Sequence, residues 1–170
     1  MALIMADAKA LVSRYGAELV VTPVDPLLPR TIIELDRLPW IPYVGEQGDP
    51  ATSRTFTKTL VEPGSGNYVM LVKILPGTHG RTHWHLSDTL YVVRRGELHI
   101  AGEGIYSEGT FRWVKGGFAY GPETPGSDGV EFFFVSMGPY GLFFADEHEP
   151  PLGRWDDLSD GRRESHHGSD

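Results

Sequence analysis

The segment from Gly77 to Gly96, GTHGRTHWHLSDTLYVVRRG, constrains the fold of this chain more than any other part of it. It sets His83 and His85 two residues apart in a stretch whose composition is typical of a β-strand. Side chains alternate between the two faces of a strand, so both imidazoles are predicted to share one face, where they can bind one metal ion. A β-branched and aromatic run follows, and a turn at Arg95-Gly96 is predicted to return the chain as a hairpin through Glu97 to Ile100.

Length and composition limit the kinds of protein that this chain can be. The 170 residues are enough for one domain with a buried core. Cysteine is absent, which excludes disulfides, thiol catalysis and thiolate metal sites and leaves His, Asp, Glu and Tyr as the strong ligands. The formal charge of −8, with no block of Lys and Arg, excludes nonspecific nucleic-acid binding. We expect a cytoplasmic protein, since the sequence shows no secretory segment, no membrane span and no cysteine.

Residues 51–150 are predicted to form the body of the domain, a series of short strands with turns rich in Gly and Pro between them. Such a series indicates an all-β sandwich or barrel. The stretch PETPGSDG from Pro122 is predicted as one of the turns. Besides the histidine strand and the hairpin, the predicted strands are Phe56 to Val61, Asn67 to Leu75, Ile105-Tyr106, Gly109 to Val114, Phe118 to Tyr120 and Val130 to Met137.

The two ends of the chain differ from this body. Residues 1–50 are predicted to hold a helix from Ala6 to Tyr15 and then a proline-rich arm that lies along the body. Residues 151–170 are polar and are predicted to form a loose tail. The strands around Val69 and Phe133 are apolar on both faces, so one face is predicted to fill the barrel while the arm or a second subunit covers the other. A homodimer is therefore expected.

The histidine segment resembles the first sequence motif of the cupin superfamily, the RmlC-like jelly rolls. Four residues stand in register with that motif, namely Gly77, His83, His85 and Gly96. The motif also has a glutamate, and Thr89 holds its place here. The resemblance implies that His83 and His85 bind a metal ion.

A second part of the chain resembles the second cupin motif. Gly109 and Gly117 match its two glycines, and Lys115 stands where a proline is usual. Tyr120 holds the place of the histidine that completes the metal site in the family. The resemblance extends from about Leu38 to Glu149 and implies a single-domain, all-β cupin, a double-stranded β-helix or jelly roll, with an N-terminal arm.

Within the superfamily, the chain is most similar to small dioxygenases that cleave carbon–carbon bonds in diketones such as acetylacetone, or in hydroxyaryl ketones such as 2,4'-dihydroxyacetophenone. Those enzymes lack the glutamate and use three histidines on non-haem iron. The similar stretches here are LPWIPY from Leu38, AYGPE from Ala119 and MGPYGLFFADE from Met137. The resemblance implies iron(II) as the cofactor, with zinc, manganese, nickel or no metal as alternatives.

Several residues are candidates to complete the site. Tyr120 can bind the metal as a phenolate, or it can line the pocket and donate a hydrogen bond. Glu123 is predicted in a Pro-Gly loop from which it can swing inward, and Asp88 is predicted as a turn residue; for both, the alternative is a surface charge. His79 reaches the site only if the chain bends before His83.

Other side chains near the histidines have predicted roles. Arg81 shares their face if the strand is regular, where it can clamp a substrate carboxylate or enolate oxygen; the alternative is a surface salt bridge. Trp84 is predicted to point to the opposite face and to pack there. Phe111 and Trp113 are predicted to wall an apolar pocket together with the phenylalanines of the last strand, or to belong to the core.

The leading functional hypothesis is a metal-dependent enzyme that acts on a small molecule, an iron dioxygenase for a ketone or diketone. Two imidazoles leave positions at a metal for substrate oxygens and O₂. A first alternative is a non-oxidative isomerase, cyclase, decarboxylase or lyase, in which Tyr120 and His85 do acid–base work. A second alternative is a sensor that binds a small molecule without turnover.

Overall fold

The computed structural model describes residues 33–44, 49–61 and 66–154, and this part of the chain is almost entirely β-structure. Its strands are β1 (Ile41–Pro42), β2 (Thr55–Val61), β3 (Tyr68–Ile74), β4 (His83–His85), β5 (Thr89–Ile100), β6 (Gly104–Ser107), β7 (Phe111–Val114), β8 (Glu123–Ser136) and β9 (Leu142–Phe144). Two single turns of 3₁₀ helix, Leu35–Arg37 and Pro50–Thr52, are the helical structure that these residues show. The all-β prediction is confirmed.

Other predictions fall elsewhere in the chain. The helix expected from Ala6 to Tyr15 lies outside the described residues. Of the tail predicted over 151–170, only 151–154 are described, and these residues are not loose, because Leu152 and Gly153 hydrogen-bond to the backbone of the barrel at Gly117 and Ala119. Within the described part, no helix is long and apolar enough to cross a membrane.

The strands form two antiparallel sheets. The larger sheet has the order β1-β2-β3-β8-β5-β6, with β7 paired to the other part of β5. The smaller sheet pairs β4 with β9. The two longest strands, β5 and β8, pair from Thr89 opposite Ser136 to Ile100 opposite Glu123. These two strands carry several residues of the candidate site, among them Tyr91 on β5 and Phe134 on β8.

The hairpin predicted at Arg95-Gly96 is wrong. The chain continues from Thr89 to Ile100 as one strand, and the pairing with β8 shifts register on either side of Gly96. Gly96 has φ +76°, and a β-carbon there would collide with the carbonyl oxygen of Gly129 on β8. The glycine therefore bends a strand at a bulge and does not reverse it.

The turn predicted from Pro122 is also wrong, because this stretch is the first half of β8. Pro125 lies opposite Leu98, and Glu123 lies opposite Ile100. Gly129 has φ +85° and meets the bulge of β5, so both strands bend at the same level. Turn-forming residues here occupy bends in a long strand.

The described part of the arm packs on the edge and the outer face of the sheet. Strand β1 pairs with β2 at the sheet edge. The ring of Trp40 lies under two ammonium groups, 4.6 Å from Lys58 Nζ and 4.4 Å from Lys73 Nζ. Lys58 also donates a hydrogen bond of 2.8 Å to the carbonyl oxygen of Leu35. Leu71 pairs with Lys58 across the strands and has no exposed surface, so at this level both faces of β3 are covered.

The hydrophobic core lies inside the barrel and comes mainly from alternate residues of β3, β5 and β8. Its buried members are Met70, Val72, Ile74, Tyr91, Val93, Leu98, Ile100, Val114, Tyr120, Val130, Phe132 and Phe134. Two tyrosines belong to this otherwise apolar group. Since a buried hydroxyl needs a hydrogen-bond partner, they mark a polar region inside the core.

Candidate functional site

The two histidines lie on β4 and point into the barrel. His83 is 7% exposed and His85 is 4% exposed. Trp84, between them, points to the other side, where it stacks on Phe143 at 4.3 Å and donates its indole N–H to the carbonyl oxygen of His148. The prediction that the strand places both imidazoles on one face and Trp84 on the other is confirmed.

Each imidazole is held by a backbone carbonyl. His83 Nδ1 lies 2.9 Å from the carbonyl oxygen of Arg81, and His85 Nδ1 lies 3.0 Å from that of Gly141. A carbonyl accepts only, so in both rings Nδ1 carries the proton and Nε2 carries the lone pair. The ring centroids are 5.2 Å apart. Two neighbouring imidazoles with Nδ1 fixed in this way are typical of metal ligands.

Burial also sets the charge of His85. Loss of hydration is the main cause that lowers the pKa of His85 from 6.5 to about 3, and the electrostatic effects of His83 and Arg112 lower it further. The ring is therefore neutral at physiological pH. Neutral imidazole is the form that binds metal ions.

Tyr120 lies beside both histidines. Its backbone pairs with that of His83, and its ring centroid is 4.7 Å from the His83 ring and 6.3 Å from the His85 ring. Its hydroxyl hydrogen-bonds the hydroxyl of Tyr91 and the side chain of Thr89. Burial raises the pKa of Tyr120, and the negative charge of Glu123 raises it further. The phenol is therefore neutral and hydrogen-bonded.

Arg112 is a site residue that sequence reasoning missed. It points inward from β7, where Nε and Nη2 donate hydrogen bonds of 2.8 and 2.6 Å to the two carboxylate oxygens of Glu103. The guanidinium carbon is 4.2 Å from the centroid of the Tyr120 ring. Its third nitrogen, Nη1, is buried and has no hydrogen-bond partner among the described residues.

The expectation that Phe111 and Trp113 wall the pocket is wrong. Their side chains are 66% and 56% exposed, on the outer face of β7, while Arg112 and Val114 face inward. Side chains do alternate along β7, but the two aromatic residues face outward and not inward. The bidentate ion pair with Glu103 compensates the burial of Arg112, and the sequence alone does not predict this pairing.

Glu123 lies at the first position of β8, not in a loop. Its Oε1 atom is buried and has no hydrogen-bond partner among the described residues. After burial, the charge of Glu123 is the largest cause that raises the pKa values of Tyr91 and Tyr120. The carboxylate is thus part of the same polar region as the two tyrosines.

The comparisons with known proteins agree with this architecture. No protein-family model and no curated protein matches the chain. Among solved structures, an acetylacetone dioxygenase from Acinetobacter johnsonii is 12% identical, with a TM-score of 0.56 over 74% of this chain and 84% of that one. An RmlC-like cupin from Ralstonia eutropha is 14% identical, with a TM-score of 0.56 over 82% of this chain and 91% of its own. The chain has the cupin fold. The polyketide cyclase RemF from Streptomyces resistomycificus has it too, at 14% identity and a TM-score of 0.54 over 72% of this chain and 89% of its own.

Two residues at which the sequence departs from the cupin motifs that it resembles lie close together in the structure. Thr89 stands at the place of the motif glutamate and is 1% exposed. It hydrogen-bonds Tyr120, which stands at the place of the motif histidine. The two departures from the family motif are thus in contact with each other inside the barrel.

Arg81, a predicted site residue, lies outside the barrel. The regular strand does not extend as far back as Arg81, because β4 begins at His83. The guanidinium group donates to Asp146 at 2.6 Å and to Glu147 at 2.7 Å, and the side chain is 44% exposed. The surface salt bridge, not the substrate clamp, is what the structure shows, while the backbone carbonyl of Arg81 orients His83.

Two further candidates do not reach the histidines. His79 is exposed in the segment before β4. Asp88 directly precedes β5, and its side chain accepts a hydrogen bond of 2.8 Å from the backbone N–H of Gly116, so it stabilises the turn at Gly116.

The described residues contain no cluster of three or more His, Cys, Asp or Glu that could hold a metal ion. A metal at this site would therefore have His83 and His85 as its nitrogen ligands, and oxygen ligands from Tyr120, substrate or water. Imidazole suits iron, zinc, copper and nickel. Because both Nε2 atoms carry lone pairs and His85 is neutral, the donors present fit such an ion.

Proposed function

We propose that this chain is a metal-dependent cupin enzyme, a dioxygenase-like protein that acts on a ketone or diketone. The observation that carries the proposal is the pair of buried imidazoles, 5.2 Å apart, each with Nδ1 held by a backbone carbonyl. The cupin fold supports it, since an acetylacetone dioxygenase from Acinetobacter johnsonii has the same fold.

His83 and His85 would hold the metal through Nε2. An iron(II) ion held there would supply activation of O₂ and Lewis-acid polarisation of a substrate carbonyl. Only two protein nitrogens would be used, so positions remain for substrate oxygens.

The surrounding residues supply the pocket. The rings of Phe134 and Tyr140 lie 4.9 and 5.8 Å from the His85 ring, and they exclude water from its apolar side. The Tyr120 hydroxyl holds a proton next to His83 and can donate it to a substrate oxygen, while Tyr91 and Thr89 hold the phenol in place. The site therefore offers two nitrogen ligands, one proton donor and an aromatic wall.

The test is the metal content of protein purified without an affinity tag or added metal, because a tag or the terminal His166-His167 pair can bind metal by chance. We expect about one metal ion per chain, lost in a His83→Ala/His85→Ala double variant. His79→Ala/His99→Ala is the matched control, which also removes two imidazoles and is expected to keep the metal. Oxygen uptake with acetylacetone as the probe then tests the reaction. A wild type that remains metal-free after anaerobic loading with iron(II) would overturn the proposal.

One observation favours a second candidate, a metal-independent isomerase or cyclase. The phenol of Tyr120 is neutral, buried and hydrogen-bonded to Tyr91 and Thr89, which is the arrangement of a general acid. A polyketide cyclase shares the fold. Turnover of a ketone without oxygen uptake, retained after removal of metal by a chelator, would support this candidate; ligand binding with no turnover would indicate a sensor.

A further inference from the structure

The aromatic rings that contact His85 differ in their distance from solvent. Three of them are buried, namely those of His83, Tyr120 and Phe134. The fourth belongs to Tyr140, whose ring centroid lies 5.8 Å from that of His85 and whose side chain is only partly buried. Among the described rings around His85, Tyr140 therefore lies between this imidazole and the surface.

The other sides of the histidine strand are covered. On the outer side of β4, Trp84 and Phe143 stack at 4.3 Å. On the side of Tyr120, both Thr89 and Tyr91 are buried. A small molecule that approaches the imidazole from solvent therefore passes the ring of Tyr140.

The N-terminal arm contacts Tyr140 through Tyr43. A hydrogen bond joins the two phenol side chains. Burial raises the pKa of Tyr140, and the electrostatic effect and the hydrogen bond of Tyr43 raise it further, so the Tyr140 phenol is neutral. Tyr43 is 41% exposed. The pair of tyrosines thus extends from the surface of the protein to the ring beside His85.

The arm holds Tyr43 on a rigid support. The backbone N–H of Tyr43 donates a hydrogen bond of 2.8 Å to the carbonyl oxygen of Thr55, directly after β1 has paired with β2. Three residues earlier, Trp40 is held by the ammonium groups of Lys58 and Lys73. Tyr43 is therefore the fixed member of the pair.

Tyr140 is the member that can move. It lies on the loop 137–141, which joins β8 to β9 and belongs to neither sheet. The end of this loop is fixed, because the carbonyl oxygen of Gly141 orients His85 at 3.0 Å. Loops open at a lower free energy than paired strands. Rotation of the Tyr140 ring away from the imidazole breaks its hydrogen bond to Tyr43.

We propose that Tyr43 and Tyr140 form a latch through which the N-terminal arm controls the entry of small molecules to His85. While the hydrogen bond is intact, the Tyr140 ring closes the approach to the imidazole; when it breaks, the ring turns aside and a ligand enters. This inference goes beyond the proposed function and rests on it only in taking the barrel interior as the place where a ligand binds. It gives a role to the segment from Leu38 to Tyr43, which the proposed chemistry does not use.

The experiment measures how fast a reagent reaches the imidazole in the full-length protein after removal of metal by a chelator. Diethyl pyrocarbonate transfers an ethoxycarbonyl group to the nitrogen that carries the lone pair of a neutral imidazole. In His85 this nitrogen is Nε2, since Nδ1 donates to Gly141. Tandem mass spectrometry gives the rate at His85 and, in the same sample, the rate at the exposed His79 as a reference.

Two variants break the latch from either side. Tyr43→Phe and Tyr140→Phe each keep the ring and lose the hydrogen bond. We expect the rate at His85 to rise about two- to tenfold in each, which is the effect of one hydrogen bond on the opening equilibrium. The double variant should react no faster than either single variant, because both substitutions remove the same bond.

Tyr106→Phe is the matched control. It also removes a phenol hydroxyl, one that donates a hydrogen bond of 3.0 Å to Glu103 at another part of the barrel. We expect its rate at His85 to equal that of the wild type. A rise as large as in Tyr43→Phe would overturn the proposal, because the reagent would then reach His85 through general loosening of the fold.

Two further results would overturn the latch. One is an equal rate at His85 in the wild type and in Tyr43→Phe, which would mean that the arm does not control the approach. The other is a double variant in which the two increases multiply, because the two hydroxyl groups would then act separately.

Metal content separates this inference from the proposed function. The rates are measured without metal, so they do not depend on a metal centre. A chain that binds no iron(II) but reacts faster in both latch variants would overturn the metal-dependent function and support the latch. A chain that binds the metal but shows equal rates would overturn the latch alone.

Discussion

The guanidinium group of Arg112 lies over the ring of Tyr120, with its carbon atom 4.2 Å from the ring centroid. This contact joins two features of the barrel, the buried ion pair with Glu103 and the phenol beside His83. A positive charge over an aromatic face is favourable, and more so away from water. The position of Tyr120 therefore depends on a salt bridge made by strand β7 and the β5–β6 turn.

The first prediction concerns the stability of that ion pair. Arg112→Met leaves the Glu103 carboxylate buried without its partner, so we expect the free energy of unfolding to fall by about 3–5 kcal/mol. Urea denaturation measures the change. The double variant Arg112→Met/Glu103→Met removes both charges and should recover most of the loss. A single variant as stable as the wild type would show that the pair contributes nothing.

The second prediction concerns pH. Burial, together with the electrostatic effects of His83 and Arg112, lowers the pKa of His85 from 6.5 to about 3 in the folded state. Between these values the unfolded chain binds a proton that the folded chain does not, so the stability is fully present above the unfolded pKa and is lost as the pH falls. We expect the free energy of unfolding to fall by up to about 1.4 kcal/mol per pH unit in this window.

Urea unfolding from about pH 7 down to about pH 4 measures this slope. His85→Gln removes the titrating group and should flatten the slope. Identical slopes in the wild type and in His85→Gln would contradict the prediction.

The third prediction concerns the bulge at Gly96. Gly109 has a similar φ, +85° against +76°, but has open space where a β-carbon would stand, so the two glycines separate backbone strain from steric collision. Gly109→Ala should cost about 1–2 kcal/mol through strain alone. Gly96→Ala should cost about 1–3 kcal/mol more, because its β-carbon meets the Gly129 carbonyl. Equal losses in urea denaturation would show that β5 and β8 can separate at the bulge.

The fourth prediction concerns the role of Tyr120. Tyr120→Phe keeps the ring beside His83 and removes the hydroxyl that Tyr91 and Thr89 hold. If the phenol donates a proton, turnover should fall about a hundredfold or more while the metal content is unchanged. Oxygen uptake and elemental analysis of the same sample measure both quantities. Loss of the metal would instead assign Tyr120 as a ligand.

The fifth prediction concerns the outer face of the barrel. Phe111, Trp113 and Met137 are exposed there and line one groove together with Leu90. An apolar patch of this kind is typical of a protein interface, and we propose that a second copy of the chain packs on it to form a homodimer. Light scattering should give the mass of a dimer for the wild type and of a monomer for Trp113→Glu. A monomeric wild type would exclude the homodimer.

Local chain geometry was enough to predict the relative orientation of His83, Trp84 and His85. Residues two apart on a strand share a face, so the spacing of His83 and His85 placed both imidazoles together and turned Trp84 away, whatever the rest of the chain does. The resemblance of the same segment to the first cupin motif indicated the fold, and two glycines of that motif, Gly77 and Gly96, have positive φ angles in the structure.

Only the tertiary structure decided how the other residues are used. Gly96 and the stretch from Pro122 look like turns, and they become bulges because β5 and β8 pair along their whole length. In the sequence, Arg112 lies between two aromatic residues and looks like a surface residue. It faces inward because its guanidinium group pairs with Glu103 and lies over the ring of Tyr120. The two-residue alternation of side chains is a local property of a strand. Which face of the strand is buried depends on residues that are distant in sequence, and the sequence alone does not show where those residues lie.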